Sequence, residues 1–202
     1  MSRAREIADL VGGTTPDIIL KTSDGAILNL QTSDTTVTAD SVLGEINFQA
    51  PDEASGTDAI LIASKIQAVA EGTFSSSSNA TSLVFTTANS AAAGTASGKM
   101  TFTSGGELIL KDTDTADGSS PTITLQSGDT DIAADDVLGT INFQAPDEGA
   151  GTDAILVAAG MSAISEGDFS SSNNATSLVF KTGASAAADE KMRINSAGRV
   201  GL

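Results

Sequence analysis

The side chains best equipped for chemistry in this chain are carboxylates, and they come as two matching sets. Asp52, Glu53 and Asp58 stand in one, and Asp147, Glu148 and Asp153 stand 95 positions further on. Paired carboxylates on either side of a glycosidic bond are the equipment of sugar cleavage, one acting as acid and the other as base or nucleophile. Sugar-cleaving clefts also hold the apolar faces of sugars on aromatic platforms, and this chain has no Trp, no Tyr and only 7 Phe. With no His and no Cys, most acid–base and nucleophilic constellations have no donor. Ser64 and Lys65 are neighbours, but on a strand adjacent side chains point to opposite faces. A Ser–Lys dyad is therefore excluded, and the second set has Ala159 and Gly160 there. The expectation is a protein without catalytic residues.

Cation binding fares no better. Asp112, Asp114, Asp117 and Gly118 imitate the opening of a calcium loop. Such a loop needs an acceptor fifth, glycine sixth and glutamate twelfth, where Ala116, Asp117 and Ile123 stand. The repeated Pro-Asp-Glu…Gly-Thr-Asp stretches read as solvated turns. Asn79-Ala80-Thr81 and Asn174-Ala175-Thr176 fit the glycosylation pattern, yet are most simply polar loop residues. No phosphate-cradling glycine loop follows any strand. Neither a metal nor a cofactor is expected.

The doubled carboxylates belong to a doubled unit. Residues 42–90 and 137–185 align without a gap, and 34 of the 49 positions are identical. Stacked copies of one unit characterise array and shaft proteins, whereas a catalyst needs one specialised cleft. Within each copy the pattern is strand and turn. Asp17–Lys21 and Ala26–Gln31 read as a hairpin around Thr22-Ser23-Asp24-Gly25. Gly44–Ala50 alternates, with Ile46 and Phe48 on one face. Asp58–Gly72 also fits an amphipathic helix. Its second copy keeps apolar residues at even spacing and puts Gly160 where Lys65 stands, which would cost a helix about 1 kcal/mol. A long strand is the expectation. Short strands follow at Ser82–Thr86, Lys99–Thr103 and Glu107–Lys111, with counterparts at Ser177–Lys181, Lys191–Asn195 and Arg199–Leu202. The length differences between copies fall in two loops, as stacked modules tolerate.

Residues 1–13 differ. Ile7, Leu10 and Val11 fall at helical spacing, Ser2 can cap, Gly12-Gly13 stops the segment, and Arg3 and Arg5 are two of only 10 cations. A helix this short needs a partner surface, so it reads either as a solvated terminus or as an anchoring peptide. The domains expected are thus a leader, 1–13, a first module, 14–106, and a second, 107–202.

Apolar bulk is scarce: Leu, Ile, Val and Phe make up 45 of 202 residues. Two self-sufficient cores are hard to fill from so little, which implies burial between chains, with a homotrimer as first choice. The core or interchain candidates are Ile46, Phe48, Ile60, Ile62, Leu83 and Phe85, with Ile141, Phe143, Ile155, Val157, Leu178 and Phe180 in the second module. Against 10 cations stand 26 acidic residues, a net charge of −16. Such a surface repels nucleic acid and anionic membranes, and no run of eighteen apolar residues exists to span a bilayer. The start lacks the apolar stretch of a secretion signal, consistent with synthesis in the cytoplasm.

The order of VLGEINF, AVAEGTF, SLVFTT and then KMRI, a Ser/Gly turn and RVGL resembles modules of bacteriophage tail fibres. Lys191 to Leu202 is similar to the phrase with which such modules commonly end, whereas Lys99 to Leu110 departs from it at the closing turn. The opening MSRAREIADL resembles the N-termini of marine phage fibre proteins. The resemblance covers nearly the whole chain. It implies an intertwined or stacked homotrimeric fibre docked by its N-terminus, through Arg3, Arg5, Ile7, Leu10 and Val11, on a tail, baseplate or adaptor protein. The site would be the virion, and the host surface would be met only indirectly. Such fibres usually continue beyond RVGL, so a short fibre or the virion-proximal part of one is expected. A capsid decoration or head fibre and a receptor-binding adhesin module are the alternatives.

Overall fold

The computed structural model describes residues 23–49, 61–88, 99–145 and 152–202. The chain divides into two compact units, Met1–Pro121 and Thr122–Leu202. Each holds one five-stranded antiparallel sheet that runs as a meander. In the first, β1 (Val42–Gln49), β2 (Ile62–Ala70), β3 (Thr81–Thr87), β4 (Met100–Phe102) and β5 (Leu108–Leu110) pair in chain order. In the second, β6 (Val137–Gln144), β7 (Val157–Ser165), β8 (Thr176–Thr182), β9 (Asp189–Ile194) and β10 (Val200–Gly201) do the same. The protein is all-β. Among the described residues the sole helical element is one 3-10 turn, Asp153–Ile155.

The segment that fitted either helix or strand is a strand in both copies. The β2 ladder runs from Ile62 to Val69 against β1, and β7 repeats it with Gly160 inside. The strand is shorter than the expected 58–72. β6 ends at Gln144, which pairs with Val157, so residues before Val157 have no ladder partner. They coil instead into the 3-10 turn, where the Leu156 N–H donates to the Asp153 carbonyl at 3.2 Å. Ile155 consequently lies on that turn and not on the strand.

The strand expected at Ala26–Gln31 does not form. The segment carries no ladder, and its expected partner, Asp17–Lys21, lies outside the described residues, as does the leader 1–13. The segment 26–31 passes over β1 as a strap, with Leu30 against Gly44. A Cβ at Gly44 would sit 2.7 Å from the Leu30 Cβ, and one at Gly139 would sit 2.8 Å from the Leu125 Cβ. Only glycine lets the strap approach so closely. The strap of the second unit, Thr122–Gln126, occupies the equivalent place 95 residues on.

Each strap leads into a turn that closes the end of the sheet. The Ala70 N–H donates to the Ser41 carbonyl at 2.9 Å, and the Phe74 N–H to the Val37 carbonyl at 3.0 Å. Their counterparts join Ser165 to Asp136 at 2.9 Å and Phe169 to Ile132 at 2.9 Å. Asp40 and Asp135 hold these turns at φ of 67° and 70°, a left-handed conformation that Asp tolerates better than most residues. Beneath them lie Ala70 in one unit and Ser165 in the other. The Ser165 hydroxyl, fully buried, donates to the Ala133 carbonyl and accepts from the Asp136 N–H at 3.0 Å.

The interior is small. Among the described residues, the hydrophobic side chains buried within the chain are Ala70, 1% exposed, and Val179, 0% exposed. Val179 pairs in register with Ser162 on one side and Arg193 on the other. That face is packed with short side chains, Ser162 and Ser177 among them.

Candidate functional site

Side chains alternate between the faces of a sheet, and directly paired residues share a face. The registers therefore assign each residue to a side. Ile46 pairs with Ile66, Ile66 with Phe85, Phe85 with Met100 and Met100 with Leu110. One row on, Ala68, Leu83, Phe102 and Leu108 follow. That face is apolar across all five strands. The opposite face carries Glu45, Asn47, Lys65 and Gln67, with Lys65 and Glu45 3.9 Å apart. In the second unit the apolar side holds Ile141, Met161, Phe180 and Met192, then Ala163, Leu178, Ile194 and Val200.

Beside the straps, much of the apolar side is open among the described residues. Ile46, Phe48, Leu83, Phe102 and Leu108 are exposed in the first unit, and Ile141, Phe143, Leu178 and Val200 in the second. Phe48 is 51% and Phe143 58% exposed. Each large apolar side chain that goes from water into a packed contact contributes about 1.5–3 kcal/mol. A row of them on one sheet face marks an interaction surface. In the second unit the face forms a cleft of 160 Å³, lined by Leu125, Gly139, Ile141, Met161, Ala163 and Leu178 among others. The strap residue Leu125 is thus part of its wall.

Of the residues singled out from the sequence, Ile46, Phe48, Ile62, Leu83 and Phe85 share this face in the first unit. Ile141, Phe143, Val157, Leu178 and Phe180 share it in the second. None of the ten is buried within one chain. Ile155 is exposed on the 3-10 turn. Ile60 and the leader residues Arg3, Arg5, Ile7, Leu10 and Val11 lie outside the described residues. So do Asp52, Glu53, Asp58, Asp147 and Glu148, whereas Asp153 is exposed on the same turn. Among the described residues no group of three acidic side chains gathers as a metal site would.

A second feature went unread in the sequence. Just past β2, the Glu71 carboxylate accepts from the Ser82 hydroxyl at 2.5 Å, from the Ser104 N–H at 2.8 Å and from the Ser104 hydroxyl. Past β7, Glu166 accepts from the Ser177 hydroxyl at 2.6 Å and from the Ser196 N–H and hydroxyl at 2.7 and 2.5 Å. Each carboxylate ties the end of one strand to the start of the next and to the tip of the last hairpin. Hydrogen bonds to the ionised form lower a carboxyl pKa. Ser104 and then Ser82 hold Glu71 below the usual range, and Ser177 and then Ser196 do the same for Glu166. The hairpin tips match, with glycine in the left-handed region at Gly106 (φ 81°) and Gly198 (φ 72°). The closing turn of the first copy, divergent in its letters, is therefore equivalent in shape. Aligning TSGGE with NSAGR, three residues out of the main offset, would have revealed the two serines.

What fold and surface define is a class: an all-β tandem-repeat protein whose sheets each present an unpartnered apolar face. No family model and no curated protein matches the chain. Among solved structures, it is similar to the carboxy-terminal domain of the bacteriophage T5 L-shaped tail fibre. That match has 11% identity and a TM-score of 0.42, covering 90% of this chain and 88% of the other. It is also similar to the same domain with its intra-molecular chaperone domain, at 11% identity and a TM-score of 0.44, covering 91% of this chain and 61% of that one. Likenesses of this degree establish neither topology nor role.

Proposed function

We propose that the protein is a structural component of a bacteriophage tail fibre, its virion-proximal anchor and shaft, which supports host attachment without catalysis. Two modules, 14–106 and 107–202, form the shaft as a homotrimer, and the leader 1–13 docks on a tail, baseplate or adaptor protein. The protein is made in the host cytoplasm and resides in the virion. The observation that carries this reading is the apolar face, five strands wide and repeated in both units, beside an interior that among the described residues holds two buried apolar side chains. A chain that leaves its greasiest surface outside gains its stability from neighbours, as subunits with obligate interfaces do. The tail-fibre assignment rests on the order of sequence phrases, and the trimer on the shortage of apolar bulk.

Light scattering of the purified chain tests the assembly. The expected mass is three times the 20.1 kDa of one chain, and Phe48→Asp with Phe143→Asp should shift it towards one. A folded, stable monomer of the unsubstituted protein would overturn the reading. Removing residues 1–13 should leave the oligomer folded and abolish incorporation into virions, and unchanged incorporation would refute the anchor.

A further inference from the structure

The straps that cross the apolar faces have a property that side chains alone do not explain. Thr122–Gln126 belongs to no strand or helix, and among the described residues none of its backbone N–H or carbonyl groups is hydrogen-bonded. The same holds for Ala26–Gln31. A bare backbone is tolerable in water. It is costly once covered, because buried N–H and C=O groups without partners lose about 1–3 kcal/mol each. Yet the strap lies on the face whose apolar side chains call for a cover, with Leu125 forming a wall of the cleft there. Whatever covers this face must then offer backbone partners as well as apolar side chains.

A second copy of this chain meets both needs. Its own face is apolar, and β6 is an edge strand of eight residues whose outer side is unpaired within its sheet. The opposite edge, β10, has only two residues. The strap, pressed onto Gly139, lies on the apolar side of its own sheet and outside that sheet's ladder. Its letters, Thr-Ile-Thr-Leu-Gln, alternate β-branched and apolar residues as a strand does. We infer that Thr122–Gln126 of one chain adds as a sixth strand to the β6 edge of a sister chain, and that Ala26–Gln31 adds likewise to the sister's β1. Strand addition of this kind takes its affinity from main-chain hydrogen bonds and its register from alternate side chains. This inference rests on the self-assembly proposed above and names the element that makes the seam.

Amide hydrogen exchange on the full chain tests it, alongside mass measurement of the same sample. A strand bound along one edge uses every second N–H on that side. In the oligomer, alternate amides of Thr122–Gln126 should therefore exchange at least 100-fold more slowly than in a free peptide. That protection should vanish on dilution to single chains. An oligomer in which these amides exchange freely would overturn the strand addition and leave the assembly standing. Protection that persists in single chains would also overturn it, by placing the partner within the same chain. A protein that is monomeric at every concentration would remove both proposals.

Discussion

Glu71 and Glu166 each gather three donors although they lie at the surface, and this makes their contribution dependent on pH. A carboxyl whose folded pKa lies below its unfolded value stabilises the fold above the unfolded value, and that stability is lost as pH falls through the folded one. Unfolding midpoints in urea should therefore hold steady near neutrality and decline below about pH 4.3, the ordinary value for glutamate. Glu71→Gln with Glu166→Gln should lower the midpoint at pH 7 and flatten that decline. An unchanged pH profile in the double variant would show that the clasps carry no linkage. Thr86 makes the opposite case, since its hydroxyl is buried without a partner. Thr86→Val should be neutral or stabilise by up to about 1 kcal/mol, read from the same denaturation curves. Neither feature was legible in the letters. The two glutamates stand in an obvious repeat, but Ser104 and Ser196 fall out of its spacing by three residues, and a hydroxyl's partner is set by the fold.

The strands were legible because alternation is a local signal: Ile46 with Phe48 and Leu83 with Phe85 declare their faces within a few residues. The straps were not. Ala26–Gln31 has strand-like letters and a turn before it, so it reads as half of a hairpin, whereas its place is set by Gly44, fourteen residues away, and by a close approach no pattern displays. That approach is testable. Gly139→Ala would put a methyl 2.8 Å from the Leu125 Cβ, a backbone-proximal atom that cannot swing aside. The substitution should destabilise by about 1–3 kcal/mol, measured by chemical denaturation. Adding Leu125→Gly should recover part of the loss, and a Gly139→Ala variant as stable as its parent would show that the strap is not held there. The 3-10 turn at Asp153–Ile155 escaped for a related reason, since the strand's true start is decided by where β6 ends.

At the scale of the whole molecule, shortage of apolar bulk and surplus of negative charge act against each other. Apolar faces favour association, while chains of net charge −16 repel. Salt screens that repulsion over a Debye length of about 8 Å at physiological strength, so the dissociation midpoint should move to lower protein concentration as sodium chloride rises from about 0.05 to 0.5 M. Sedimentation across that series checks it, and a midpoint that rises with salt would mean that ion pairs, not apolar contact, hold the copies together. Composition made the deficit readable in advance. The side of each sheet that would be left bare became plain only from the registers. The duplication has one more consequence. Ile46 and Phe48 recur as Ile141 and Phe143, and Leu83 and Phe85 as Leu178 and Phe180, so the bare surfaces are near twins. A surface that fits one module would find much the same greasy landscape on the other. What distinguishes the copies is then their loops, and 112–120, five residues longer than its counterpart 22–25, is the kind of asymmetry by which a partner could tell one module from the other.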